Sequence, residues 1–78
     1  MNKRQKKDVA AIVSHFEDYI ADLEAMLDEL QETIDNVPDN LQGTERYETM
    51  EDERYMLEEF KDAIENACTD IRDNLIDY

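Results

Sequence analysis

The stretch NVPDNLQGTERYE, residues 36–48, contains the only proline and the only glycine of the 78-residue chain. Pro38 cannot donate a backbone hydrogen bond and disfavours helical geometry at the residue before it, so a helix is predicted to end near Asn36. Gly43 readily adopts backbone angles that other residues avoid, and Thr44 is a typical N-cap residue. The sequence therefore predicts two helices joined by one short turn.

The segment before the turn shows a heptad repeat with apolar residues at positions a and d. Position g, which precedes a, is also apolar at Ile12, Tyr19 and Met26. A stripe of three positions in seven is typical of a helix in a bundle, so we expect Leu23 and Leu27, midway along it, to be buried. The residues at a and d are Val13, Phe16, Ile20, Leu23, Leu27, Leu30, Ile34 and Val37.

The segment after the turn carries a weaker form of the same repeat. Phe60 and Ala67 occupy position d, whereas polar residues occupy this position near both ends of the segment. Small residues around Cys68 make the stripe thin in the middle, which favours close approach of the two helices. The residues at position a are Met50, Leu57, Ile64, Ile71 and Tyr78.

The chain is predicted to be all-α, with one folded domain. A basic N-terminal tail covers residues 1–7, and a helical hairpin covers residues 8–78. Within the hairpin, helices at about 8–36 and about 44–76 flank a turn at about 37–43. Because a connection this short makes two helices antiparallel neighbours, the expected fold is a long antiparallel hairpin.

Two helices alone cannot cover both apolar stripes. The g residues Ile12, Tyr19 and Met26 would stay partly in water, as would Met56 opposite them. A chain of this size hides only about 60% of its unfolded surface, so association would also improve its stability. We therefore predict that two hairpins pair into a four-helix bundle, a homodimer; an apolar groove on another protein is the alternative.

Charge and cysteine content limit the partners and the compartment. Acidic residues number 22 and basic residues 8, which gives a formal net charge of −14. A body with this charge repels phosphate, so direct binding to nucleic acid is not expected outside the basic tail. Cys68 is the only cysteine, which fits a reducing cytoplasm. The run VAAIV at 9–13 is too short for a signal peptide or a membrane span, so no membrane contact is expected.

The turn and the start of the second helix resemble a group of small, mostly uncharacterised proteins of bacteriophages and prophages. Their pattern is similar to N-x-P-x-N-L-Q-G-[ST]-E-R-Y-E followed by an acidic helix. The resemblance implies a phage origin, a helical hairpin and no particular activity. The matching residues are Asn36, Pro38, Asn40, Leu41, Gln42, Gly43, Thr44, Glu45, Arg46, Tyr47 and Glu48.

The hairpin tip is a second candidate contact. Loop tips that carry specific side chains often bind partners, and Arg46 and Tyr47 are the residues of this kind here. The simpler interpretation is that Tyr47 packs against Leu41 and Ile34. The candidate partner contacts are thus Ile12, Tyr19, Met26, Arg46, Tyr47 and Met56.

Enzyme and metal chemistry have little basis in the sequence. The pairs DELQE at 28–32 and EFKD at 59–62 resemble the carboxylate motifs of all-α nucleotide pyrophosphohydrolases, which bind Mg²⁺. Their carboxylates fall on positions c and f, outside the stripe, and His15 also falls on c, without the Glu-x-x-His motifs of di-metal bundles. No catalytic residue, cofactor or metal is therefore expected, and a Mg²⁺-dependent nucleotide hydrolase is a remote alternative. Cys68 is expected to be a buried structural thiol.

Carboxylates follow the outside of the second helix. Carboxylates one helical turn apart are about 5–6 Å apart, close to the spacing of successive phosphates on a DNA strand. The leading hypothesis is a non-enzymatic phage accessory protein that self-associates and binds a host or phage protein. The alternative is an acidic DNA mimic that inhibits a nucleic-acid-binding or defence enzyme, and the simplest interpretation is a solvated face. The candidate acidic face comprises Glu48, Asp52, Glu59, Asp62, Asp73 and Asp77.

Overall fold

A computed structural model of the protein describes residues 1–77 and shows two long helices in an antiparallel hairpin. Helix α1 spans Lys3–Asp35 and helix α2 spans Glu45–Ile71. A single 3₁₀ turn, Asp39–Leu41, lies in the connection, and a π-helical turn, Arg72–Ile76, extends α2. The described residues contain no strand. The hairpin measures 60 × 15 × 13 Å, so the predicted elongated all-α hairpin is confirmed.

Helix α1 begins at Lys3, earlier than the start expected near residue 8. The reason is a reciprocal capping box, in which the Asn2 side chain accepts a hydrogen bond from the Gln5 backbone N–H at 2.8 Å. The Gln5 side chain in turn accepts one from the Asn2 N–H at 2.9 Å. The basic residues expected to form a tail at 1–7 therefore lie in the first turns of α1.

The connection has the chemistry that the sequence predicted. Asn36 is the C-cap of α1, and Gly43 adopts a positive φ of 88°. The Thr44 hydroxyl accepts a hydrogen bond from the Tyr47 backbone N–H at 3.3 Å and donates one to the Leu41 carbonyl at 2.8 Å. The cap therefore joins the start of α2 to the 3₁₀ turn.

The contact line on α1 follows position a. Leu27 is only 5% exposed, which confirms its predicted burial. Position d is covered less well, because Leu23 is half-buried and Phe16 is exposed, so the prediction that both Leu23 and Leu27 are buried is only half right. Helix α2 thus packs on position a of α1 and on the side of that position that faces away from d. The buried residues of α1 are Val13, Ile20, Leu27 and Ile34.

Helix α2 is rotated relative to the predicted a and d contact line. Position e, instead of d, turns toward α1, and Cys68 at e is buried, as predicted for a structural thiol. Arg54 and Lys61, also at e, are half-buried, since their aliphatic stems can cover apolar surface. Arg54 Nε is buried without a hydrogen-bond partner. The prediction that Phe60 lies in the contact line is wrong, because its side chain is 56% exposed. Tyr78, predicted at position a, lies outside the described residues.

The open end of the hairpin is closed by the π-helical turn. The Asp77 backbone N–H donates to the Arg72 carbonyl at 2.7 Å, five residues back. Ile76 is half-buried and packs against the cluster of Val13, Ile20 and Cys68. The wider turn therefore lets the end of α2 keep contact with α1.

Candidate protein-binding face

The rotation of α2 leaves one long side of the hairpin apolar and uncovered. In an antiparallel pair, positions d and g of both helices lie on the same side of the plane that contains the two axes. Two adjoining depressions occur on this side, and Phe16 and Ile64 line both of them. Met26 and Met56 continue the g positions toward the tip. We call this surface the open apolar face; it comprises Ile12, Phe16, Tyr19, Leu23, Met26, Met56, Phe60, Ile64, Ala67 and Ile71.

Aromatic residues form the centre of the open apolar face. The rings of Phe16 and Tyr19 meet edge to face, with centroids 6.5 Å apart and an interplanar angle of 76°. Phe60 on α2 lines the same depression as these two rings. Clustered aromatic side chains of this kind supply much of the binding energy in protein interfaces.

Acidic side chains border the open apolar face along both edges. Position c, which follows g around each helix, carries exposed carboxylates, and Asp22 lines the depression beside Phe60. Lysine and arginine are absent between residues 8 and 45. Among the d positions of α2, only the one at the tip carries a positively charged residue, Arg46. We call these carboxylates the acidic rim; it comprises Asp8, Asp22, Glu29, Asp52, Glu59 and Asp73.

The opposite side of the hairpin, at positions e and b, is charged and internally paired. The Arg72 guanidinium binds the Glu17 carboxylate with two hydrogen bonds, of which the one from Nε to Oε2 measures 2.8 Å. Arg72 Nη2 also donates to the Ser14 hydroxyl at 3.4 Å. The hydrogen bond from Arg72 holds the pKa of Glu17 below its ordinary value. This pair joins the end of α2 to α1.

Two further cations on the same side are paired within α2. Arg54 binds Glu58 at 2.8 Å. Lys61 lies 3.1 Å from Asp62 and 3.4 Å from Glu65, and the hydrogen bond to Asp62 is the largest cause of the raised pKa of Lys61. We call this side the charged face; it comprises Ser14, Glu17, Arg54, Glu58, Lys61, Glu65 and Arg72.

Four of the predicted partner contacts, Ile12, Tyr19, Met26 and Met56, lie on the open apolar face and are exposed. The other two, Arg46 and Tyr47, lie at the tip, where Arg46 is exposed and Tyr47 is half-buried. The tip therefore forms a separate surface from the open apolar face. The sequence missed Phe16, Phe60 and Ile71, because the heptad pattern placed them in the contact between the two helices.

The six residues of the candidate acidic face are all exposed. Glu59 accepts a hydrogen bond from the Tyr55 hydroxyl at 2.9 Å, which raises the pKa of Tyr55, and Asp62 is paired with Lys61. Glu29 and Glu32, the first half of the motif that resembles a Mg²⁺ site, are exposed on α1. Across residues 1–77, no group of three or more His, Cys, Asp or Glu side chains converges as a metal site would require. His15 is exposed, as predicted.

No protein-family model matches this chain, and comparisons with curated proteins and with solved structures find no match. Within residues 1–77, neither helix has a stretch that is long and apolar enough to cross a membrane. The two contrasting faces of the hairpin are therefore the basis for a functional proposal.

Proposed function

We propose that the chain is a non-enzymatic protein that works by binding other proteins through the open apolar face. Without another partner, two copies pair through this face into a four-helix bundle. The observation that carries the proposal is the exposure of the face: seven of its large apolar side chains, from Ile12 to Ile71, are 39% to 61% exposed. Contiguous apolar surface of this extent marks interaction sites on proteins.

The area of the open apolar face suits a dimer. Seven large side chains are exposed there by 39% to 61%. Since an aromatic side chain can bury about 150–250 Å², the three aromatic residues, each about half exposed, offer roughly 300 Å², and the four Ile and Met side chains add to this toward the roughly 800 Å² that each partner of a standard interface buries. The seven residues are Ile12, Phe16, Tyr19, Met26, Met56, Phe60 and Ile71.

A phage origin for the chain, which the turn motif implies, would make the partner a host or phage protein. Arg46 and Tyr47 at the tip are then candidates for additional contacts, because they lie outside the surface that the dimer covers. Their role is separable from the open apolar face, since the two surfaces share no residue.

Two aromatic residues on neighbouring turns of α2 provide a matched test of the proposal. Phe60 lies on the open apolar face and is 56% exposed, and Tyr55 lies on the outside of α2 and is 61% exposed. In sedimentation at moderate salt, we expect the natural chain and Tyr55→Ser to form dimers and Phe60→Ser to be largely monomeric. A thermal melt of each variant by circular dichroism checks that all three chains are folded. A folded natural chain that stays monomeric at every concentration would refute the self-association.

An acidic DNA mimic is the second candidate function. The observation that favours it is that all six residues of the candidate acidic face are exposed. A partner bound by these charges would be released steeply as salt rises, because exposed charges are screened within about 8–10 Å. Its binding would also be unaffected by Phe60→Ser, which separates this function from the first.

A further inference from the structure

We infer that the open apolar face binds an amphipathic helix whose apolar stripe is flanked by basic residues. This inference rests on the proposed function, because it names the class of partner for the same face. It follows from two observations, the shape of the face and the sign of the charge around it.

The shape of the face fits one helix. The two depressions lie end to end in the groove between α1 and α2, from Ile12 and Ile71 at one end to Leu23 and Phe60 at the other. From Ile12 to Met26 the face is about 21 Å long, since a helix rises 1.5 Å per residue. An incoming helix would fill this length with apolar residues at i, i+3 or i+4, and i+7 over about four turns.

The charge around the face is of one sign. The acidic rim follows both edges of the groove, and its six carboxylates are exposed. Arg4 lies 3.6 Å from Asp8 at the open end of the rim. Arg54, Lys61 and Arg72 lie on the charged face, paired with carboxylates there. A helix with lysine or arginine on both flanks of its apolar stripe therefore complements the rim along its whole length.

A second copy of the chain fits the groove in shape but opposes it in charge. Its own acidic rim would lie beside the first, and like charges across an interface weaken binding. Salt therefore has opposite effects on the two occupants. Salt screens the repulsion between the two acidic rims, so it strengthens the dimer. It also screens the attraction between the rim and a basic helix, so it weakens binding of that helix. In this account the dimer shields the face until a basic helix displaces one copy.

The test uses three synthetic peptides of about 20 residues, long enough to cover the face at 1.5 Å per residue. The first has leucine at positions a and d and lysine on both flanks. The second has the same leucines and glutamate on the flanks. The third keeps the lysines and replaces the leucines with serine. Binding is measured by fluorescence anisotropy at about 0.05 M and about 0.5 M salt, between which the screening length falls several-fold.

We expect only the first peptide to bind tightly, with an affinity that falls at least about tenfold from the low to the high salt concentration. Phe60→Ser should weaken binding of the first peptide by about tenfold or more, as for a central aromatic contact. Tyr55→Ser should not weaken it, because it removes only the hydrogen bond to Glu59 and leaves that carboxylate in the rim. Asp22→Asn, in the rim, should weaken it more than Asp18→Asn, which lies on the outside of α1.

Several results would overturn the inference. Equal binding of the lysine and glutamate peptides with leucine would show that the rim does not select charge. Equal binding of the two lysine peptides, or binding unaffected by Phe60→Ser, would place the basic helix elsewhere on the acidic surface. If the chain forms a dimer that Phe60→Ser dissociates and yet does not bind the first peptide, the inference fails and the proposed function stands. If neither dimer formation nor binding of the first peptide depends on Phe60, both the inference and the proposed function fail.

Discussion

The two long sides of the hairpin are made by the same pair of helices and differ in almost every respect. On the charged face, Arg54, Lys61 and Arg72 are each paired with a carboxylate, although Arg54 Nε is buried without a hydrogen-bond partner, and Arg72 with Glu17 connects the two helices. On the open apolar face, aromatic and aliphatic side chains are exposed to water. The carboxylates beside them on α1 lie in a stretch, residues 8–45, that contains no lysine or arginine. One side is therefore closed by ion pairs within the hairpin, and the other leaves apolar surface exposed, which we propose a partner covers.

The cause of the difference is the rotation of α2. With d turned toward α1, Phe60 would be covered, and the cations at e would point outward. The observed rotation instead brings Cys68 against Val13 and Ile20, and Arg72 onto Glu17. The same rotation that places Arg72 on Glu17 therefore leaves Phe60 exposed.

The largest expected effect concerns Leu27, which lies in the contact line between the two faces. Replacing a buried leucine with alanine costs about 2–5 kcal/mol, a large share of the 5–15 kcal/mol by which domains are typically stable. Leu27→Ala should therefore lower the melting temperature sharply and weaken both faces together. Circular dichroism melts measure this.

Glu29→Ala is the control, since Glu29 is exposed two residues further along the same helix. It should change stability by no more than about 0.5 kcal/mol, because it removes one of many like charges at the surface. Damage from Glu29→Ala together with a silent Leu27→Ala would show that the contact line is assigned to the wrong residues. The carboxylates at Glu29, Glu32, Glu59 and Asp62 would then need testing as a metal site.

A smaller effect is expected on the charged face from Glu17→Gln. Hydrogen bonding to Arg72 lowers the pKa of Glu17 in the folded chain, so ionised Glu17 stabilises the fold above its unfolded pKa of about 4.3. This contribution is lost as the pH falls through the lowered pKa. The contribution is small, because both side chains are partly in water.

Melting temperatures of the natural chain and Glu17→Gln should therefore differ near neutral pH and converge in acid below the lowered pKa. All other carboxylates are the same in both chains, so the difference between the chains isolates Glu17. A difference that stays constant across this pH range would contradict a stabilising ion pair with Arg72.

The sequence predicted the connection and position a of α1 well, for local reasons. Pro38, Gly43 and Thr44 each favour a particular backbone geometry or helix position, and the three preferences are all compatible with one short turn between two helices. The rotation of α2 was not predictable in the same way, because it depends on residues far apart in the chain, such as Glu17 and Arg72. The local pattern for α2 also includes polar residues at d near both ends, so it determines the contact line weakly.

The candidate site was predicted in part. Ile12, Tyr19 and Met26 were identified because position g is not needed in a two-helix contact. Phe16 and Phe60 were missed because they occupy position d. A heptad pattern predicts that such residues are covered, whereas Phe16 and Phe60 are 46% and 56% exposed in the hairpin.

Two tyrosines allow the most direct measurement of whether the open apolar face is covered in solution. Tyr19 lies on that face and is 60% exposed in the isolated hairpin, and Tyr55 lies on the outside of α2 and is 61% exposed. Hydroxyl-radical footprinting with mass spectrometry compares their oxidation rates within one molecule. At concentrations where the chain is associated, Tyr19 should be oxidised more slowly than Tyr55, and the rates should converge on dilution. Equal rates for Tyr19 and Tyr55 at every concentration would show that water covers the face, and would contradict the account.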